Sequence, residues 1–306
     1  MPSPGERLRA AWSEHALMIP GVFNALTAKL AERLGYRAAY LSGGALSAGW
    51  AGLPDVGLLS LTEFAEQAAV LASSTSLPLL CDADTGFGGT VNVERTVRLY
   101  EAAGAAGLHL EDQVMPKRCG HLSGKSVVDA AEMASKIHAA VAARRDPGFV
   151  IVARTDARSV EGFDGAVERA RRYLDAGADM IFPEALESAE EFARFAREID
   201  APLLANQTEF GRGPLLPFED LAGMGYKAVL YPLTAFRAAM KAAEETLILL
   251  RDQGTQRGSL GRMQTRAELY DLLGYADWEA RDRDYFGLEG SGGSADDPDP
   301  DRQHVD

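Results

Sequence analysis

The residues 116–125, "PKRCGHLSGK", place one thiol, Cys119, among the cations Lys117 and Arg118 and the imidazole of His121. Neighbouring positive charge favours the thiolate, the form in which a cysteine takes and gives protons or attacks carbon. Acidic and basic side chains also cluster at the ends of short apolar runs. Asp82 and Asp84 end one run, His109 and Glu111 the next, Arg154 and Asp156 the next, and Glu184 and Asn206 follow. Buried charges of this kind need partners or a metal. Asp82, Asp84 and Glu111 offer only carboxylate oxygens, which suits a hard cation, Mg²⁺ or Mn²⁺. The competing reading is a carboxylate cluster satisfied by Arg154 and other cations. Arg154 is suited to hold a substrate carboxylate with two parallel hydrogen bonds. "LSGG" (41–44) lets backbone N–H groups approach a ligand, and "ANQTEFG" (205–211) adds an amide and a hydroxyl. Arg237 and Arg266 are further cations.

These groups need a scaffold that brings strand ends together. Eight apolar runs qualify as strands: 17–22, 38–42, 77–84, 107–112, 149–156, 180–185, 202–206 and 228–232. Helical patterns separate most of them. One opens at Ser60 with Glu63 three residues on, a capping box. Another carries apolar residues at 93, 97 and 100. Nearly continuous apolar strands alternating with helices predict a parallel sheet, and eight units predict a (β/α)8 barrel of the TIM type. No GxGxxG motif follows the first strand, which counts against a dinucleotide fold. In a barrel, catalytic groups come from the C-terminal strand ends and the loops after them. On strands, side chains two apart share a face, so Asp82 is expected to point with Asp84, and His109 with Glu111. The cysteine segment directly follows the fourth strand, and its glycines and proline predict a lid over the barrel mouth. Cys81, inside an apolar strand, is expected in the core.

Beyond the eighth strand come a long helix and then "TRAELYDLLGYADWEARDRDYF", expected as two shorter helices. These exceed what a barrel needs and suggest an oligomer. Residues 1–286 are expected as a single domain and 287–306 as an acidic, disordered tail. From Glu289 onward that tail has six acids and one base.

The 306 residues carry a net charge of −14, which argues against a nucleic-acid partner. No run is long enough to span a bilayer, "MPSPGERLRAAW" has no apolar core after its basic residues and is not expected to act as a secretory signal, and two cysteines are too few for a disulfide framework. A reducing, cytoplasmic setting is the expectation.

The motifs "DADTGFGG", "GLHLEDQ", "KRCGH", "ARTDA", "FPEA" and "NQTEFG", in this order, resemble the isocitrate lyase/phosphoenolpyruvate mutase superfamily over about residues 5–286. The resemblance implies a barrel, a homotetramer with its last helices swapped between subunits, and Mg²⁺ near Asp82, Asp84 and Glu111. It implies substrate contacts from Ser42, Gly43, Gly44, Cys119, Gly120, Arg154, Glu184, Asn206, Thr208, Arg237 and Arg266. The substrate class it implies is a small tricarboxylate. Phosphonate-cleaving members lack the cysteine segment, and isocitrate lyases are longer chains. Phe182, Leu230 and Pro232 stand where an apolar pocket takes a substrate methyl group. The implied reaction is Mg-dependent cleavage of the C2–C3 bond of 2-methylisocitrate to pyruvate and succinate, in the methylcitrate cycle of propionate catabolism. Cys119 would be the proton donor, assisted by His121. Tyr40, Asp55 and Glu111 are the candidate bases. Cleavage of isocitrate, of 2,3-dimethylmalate or another 2-alkylmalate, and dicarboxylate binding without turnover are the alternatives.

Overall fold

Each of the eight apolar runs forms a strand in the computed structural model, which describes residues 1–118, 120 and 124–287. Cys119, His121 and the tail from residue 288 lie outside the described residues. The chain opens with α1 (Pro4–Glu14), capped by a Ser3–Glu6 capping box, then β1 (Leu17–Pro20), α2 (Ala25–Arg33) and β2 (Ala39–Leu41). Next come α3 (Gly43–Ala51), α4 (Leu61–Ser74), β3 (Leu79–Asp82), α5 (Thr90–Ala102) and β4 (Gly107–Glu111). The barrel continues with α6 (Ala130–Ala143), β5 (Val150–Thr155), α7 (Arg158–Asp175), β6 (Met180–Pro183) and α8 (Ala189–Glu198). It ends with β7 (Leu204–Asn206), α9 (Phe218–Met224) and β8 (Ala228–Tyr231).

All neighbouring strands are parallel. Strands β2 to β6 form one continuous ladder, and β7, β8 and β1 form another. Single bridging pairs, Gly21 with Tyr40 and Ile181 with Leu203, join the two ladders and close the barrel. Alternation of side chains divides its apolar residues into two populations. Leu17, Ile19, Leu80, Val150, Val152, Met180, Leu204 and Ala228 fill the interior, together with Leu8, Ala11 and Trp12 of α1. Residues of opposite parity, such as Cys81, Leu108, Leu110, Ile151 and Ile181, pack against helices. Cys81 is fully buried there, as expected. The α4 cap is the Ser60–Glu63 capping box, and α5 buries Val93, Val97 and Tyr100.

The chain forms two compact units, residues 1–238 and a second beginning at Ala239. The helix α10 (Thr234–Gln253) runs across the division, so no break in composition marks it. The second unit continues with a 3-10 turn (Arg257–Arg262), α11 (Arg266–Leu273) and α12 (Tyr275–Tyr285), the two short helices expected. None of α10, α11 or α12 buries a side chain. No helix among the described residues is long and apolar enough to cross a membrane.

Candidate active site

At the C-terminal rim the barrel interior turns from apolar to polar. The face that carries Leu80 carries Asp82 two residues on, and the face of Val152 carries Arg154. Register places Asp82 beside His109 and Glu111 beside Arg154. A narrow cleft opens there. Its walls include Tyr40, Ser42, Gly44, Asp55, Asp82, Glu111, Gly120, Arg154, Glu184, Asn206 and Thr208, with Phe182, Leu230, Pro232 and Leu233 as the apolar part.

Ser42 caps α3 by accepting from the Ala45 N–H, so α3 starts inside the cleft. The Gly43 N–H donates to Asp82 Oδ2 at 3.1 Å. A Cβ on Gly43 would lie 2.7 Å from that same oxygen, so only glycine permits the approach. Asp82 Oδ1 accepts from the Asp84 N–H at 2.9 Å. Burial raises the Asp82 pKa, but His109, Lys117 and Arg154 outweigh it and hold it at about 2.

Asp84 departs from the expected alternation. The strand ends at Asp82, and Asp84 takes a left-handed conformation with φ 45°. Its carboxylate meets the buried Lys117 ammonium at 2.5 Å, and Lys117 also reaches Asp55 at 2.7 Å. Lys117 is thus committed to these two carboxylates. Burial, partly offset by Lys117 and reinforced by Asp82 and Asp55, pushes Asp84 up to about 7. Burial likewise lifts Glu111 well above the carboxylate range despite Arg154 and Lys117.

Arg154 is the centre of the opposite wall. Its guanidinium grips Asp156 through Nε at 2.9 Å and Nη2 at 3.2 Å. Glu111 and Glu184 each stand 3.4 Å from it, and the Phe182 ring lies 5.1 Å below. Glu184 accepts from the Asn206 amide at 3.2 Å. His109 is fully buried and shares a 2.8 Å hydrogen bond with the Tyr40 hydroxyl.

Of the expected residues, Gly43 and Asp84 are not among those that line the cleft, and Cys119 and His121 lie outside the described residues. Arg237 is not among the residues that line the cleft. It is bound to the Glu209 carbonyl and stacks 5.2 Å over Phe210. Arg266 opens α11 in the second unit and is exposed. Three features escape sequence reading: the Tyr40–His109 pair, the Lys117 ion pairs, and a buried ion pair of Lys125 with Asp156 at 2.7 Å. Parity on β2 and β4 would have placed Tyr40 and His109 inside, but nothing local signals that they meet.

The metal expectation can be tested on the donors present. Among the described residues, no three acidic, histidine or cysteine side chains are arranged to enclose an ion by themselves. However, Glu111 Oε1 is buried without a hydrogen-bond partner, and burial resists the ionisation of both Asp84 and Glu111. This oxygen set fits a hydrated divalent cation that keeps waters or takes substrate oxygens in part of its shell.

A closed eight-stranded parallel barrel with its polar cleft at the C-terminal rim defines a (β/α)8-barrel enzyme. The chain belongs to the phosphoenolpyruvate phosphomutase family, whose model matches residues 8–250. It is 52% identical over 280 residues to the 2-methylisocitrate lyase of Aeropyrum pernix, covering 91% of this chain and 90% of that one. Among solved structures, 2,3-dimethylmalate lyase superposes with a TM-score of 0.88 at 33% identity, covering 96% of this chain and 99% of that one. Phosphonopyruvate hydrolase in complex with oxalate and Mg²⁺ superposes with a TM-score of 0.85 at 34% identity, covering 93% and 100%.

Proposed function

We propose that the protein is a carbon–carbon lyase that cleaves 2-methylisocitrate to pyruvate and succinate. The observation that carries this reading is the division of one cleft into three parts. The carboxylates of Asp82 and Glu111 line one part, with Asp84 paired to the neighbouring Lys117; a carboxylate-binding arginine stands at Arg154, and an apolar wall at Phe182, Leu230 and Pro232. The half-identical relative named for this activity supports it.

Asp82, Asp84 and Glu111 would hold Mg²⁺, with Mn²⁺ able to take its place, and the ion would polarise the substrate hydroxyl and its neighbouring carboxylate. The hydroxyl proton must leave to a base. Tyr40 is a poor choice, because burial and Asp82 hold its phenol well above the usual tyrosine range. Asp55 lines the cleft and has no duty toward the cation, so we assign it the proton. The C2–C3 electron pair then passes to C3, giving a dianion on the succinate side. Arg154, with Glu184, Asn206 and Thr208, positions that end. Cys119 as thiol protonates C3, with His121 restoring its proton. The apolar wall favours the methyl-bearing substrate by about 1–3 kcal/mol.

The helices of the second unit expose Leu247, Trp278 and Tyr285, which supports burial against another copy. We infer a homotetramer in which the last helices are exchanged, working in the cytoplasm.

The test mixes purified protein and Mg²⁺ with 2-methylisocitrate, isocitrate or 2,3-dimethylmalate, and follows 2-oxoacid release by hydrazone absorbance. Pyruvate release from 2-methylisocitrate, with the other two far slower, is the expected result. Faster cleavage of isocitrate or dimethylmalate would replace the substrate assignment. Binding without turnover of any would remove the lyase reading.

A further inference from the structure

The Lys125 ammonium is almost fully buried, and its partners lie on two different elements. It meets Asp156 Oδ1, just past β5, at 2.7 Å, and it donates to the carbonyl of Gly120. Asp156 is the carboxylate that orients Arg154, and its Oδ1 is shared between Lys125 and Arg154 Nη2. Its backbone N–H is fixed in turn by the buried Asp112. Gly120 sits directly against the same arginine. A Cβ built there would fall 2.5 Å from Arg154 Nη2 and 2.6 Å from Glu184 Cγ. The backbone next to Cys119 is thus pressed onto the substrate-positioning wall, and Lys125 fastens it.

Stability alone gives no reason for this arrangement. Burying a lysine is costly unless it is paired, and Asp156 already has Arg154 as a bidentate partner. A second buried cation on that carboxylate earns a role if it ties the carboxylate to something else, and the Gly120 carbonyl is that something.

We propose that Lys125 is a positioning residue that couples the Asp156–Arg154 pair to the backbone at Gly120, so that the guanidinium and the Gly120 backbone are held in one geometry. The proposal rests on the lyase reading for its catalytic consequence, but not for its structural one. Lys125 is not among the residues that line the cleft. It acts through Arg154 on one side and through Gly120 on the other.

Two measurements on wild type, Lys125→Met and Lys125→Arg test it: steady-state kinetics with 2-methylisocitrate, and the rate of alkylation by iodoacetamide. Cys81 is fully buried, so alkylation of the folded protein reads Cys119. K125M should lose about 100-fold in kcat, the cost of a misplacement near 1 Å, with KM within threefold. Its alkylation rate should change at least fivefold, and succinate should protect it less than wild type. K125R, which keeps the charge and a donor, should recover part of both. If K125M does not accumulate folded, Lys125→Gln serves in its place. Kinetics and alkylation within threefold of wild type would overturn the coupling. So would equal damage in K125R together with a large fall in Tm, which would mark a merely structural lysine. If wild type turns over none of the substrates, the lyase reading fails while the alkylation comparison still judges the coupling.

Discussion

The hydroxyl oxygen of Tyr40 lies 2.8 Å from Nε2 of His109, with both side chains inside the barrel at the level of Asp82. Burial, with Arg154 and Lys117 adding to it and Asp82 opposing, holds the imidazole down to about 4. It is therefore neutral at pH 7, and Nδ1 has no partner. In the unfolded chain a histidine titrates near 6.5, so between about pH 6.5 and 4 the unfolded state binds a proton that the folded state refuses. His109 thus contributes stability that is complete above about 6.5 and drains away as pH falls toward 4. Asp84, raised to about 7, works in the opposite sense, losing stability as pH rises from 4 to 7. The two are separated by comparison with His109→Gln. Wild type should lose about 2 kcal/mol more than H109Q between pH 7 and pH 5 in urea unfolding. Parallel curves for the two proteins would refute the neutral, buried imidazole.

Arg154→Lys should be far from conservative. A lysine cannot reproduce the fork that grips Asp156, and it leaves Glu111 and Glu184 underpaired. Turnover should fall by at least about 10³-fold, and unfolding free energy by about 3 kcal/mol. Retention of a tenth of the activity would mean that the arginine does not hold substrate.

Mg²⁺ should stabilise the protein without substrate. Binding to the folded state alone adds about 2.7 kcal/mol at a hundred times the Kd. A rise in Tm with Mg²⁺ concentration is expected in wild type and should vanish in Asp84→Asn. The variant's own Tm without Mg²⁺ should fall below that of wild type, because the buried Lys117 ammonium keeps Asp55 but loses its 2.5 Å partner. An unchanged Mg²⁺ response in D84N would take Asp84 out of the donor set.

The apolar wall can be read through substrate preference. Leu230→Gln should lower the ratio of kcat/KM for 2-methylisocitrate over isocitrate by about 10- to 150-fold. Equal losses on both substrates would show that Leu230 supports the cleft without sensing the methyl group.

Much of this was visible in the chain itself. The eight strands stand out because each is an apolar run between helical periods, and polar residues at their ends follow the two-residue alternation that puts Glu111 and His109 on one face. Alternation failed at Asp84, where the strand had already stopped and a left-handed turn aims the carboxylate at Lys117. Lys117 itself was read only as a neighbour of the thiol, since its carboxylates lie at residues 55 and 84, far away in sequence. The Lys125–Asp156 pair spans 31 residues and has no local signature at all.

The two single-pair closures of the barrel have a dynamic consequence. A ladder of five strands and one of three are bridged by the single pairs Gly21–Tyr40 and Ile181–Leu203, so they should exchange their amide hydrogens as two separate cooperative blocks. The smaller block, β7–β8–β1, should open first. Its contribution to the cleft includes Asn206, whose amide reaches across the second seam to Glu184. A ligand held by Arg154 on one ladder and Asn206 on the other would suture that seam, and deuterium uptake in 203–206 and 228–231 should slow more than in the five-stranded block.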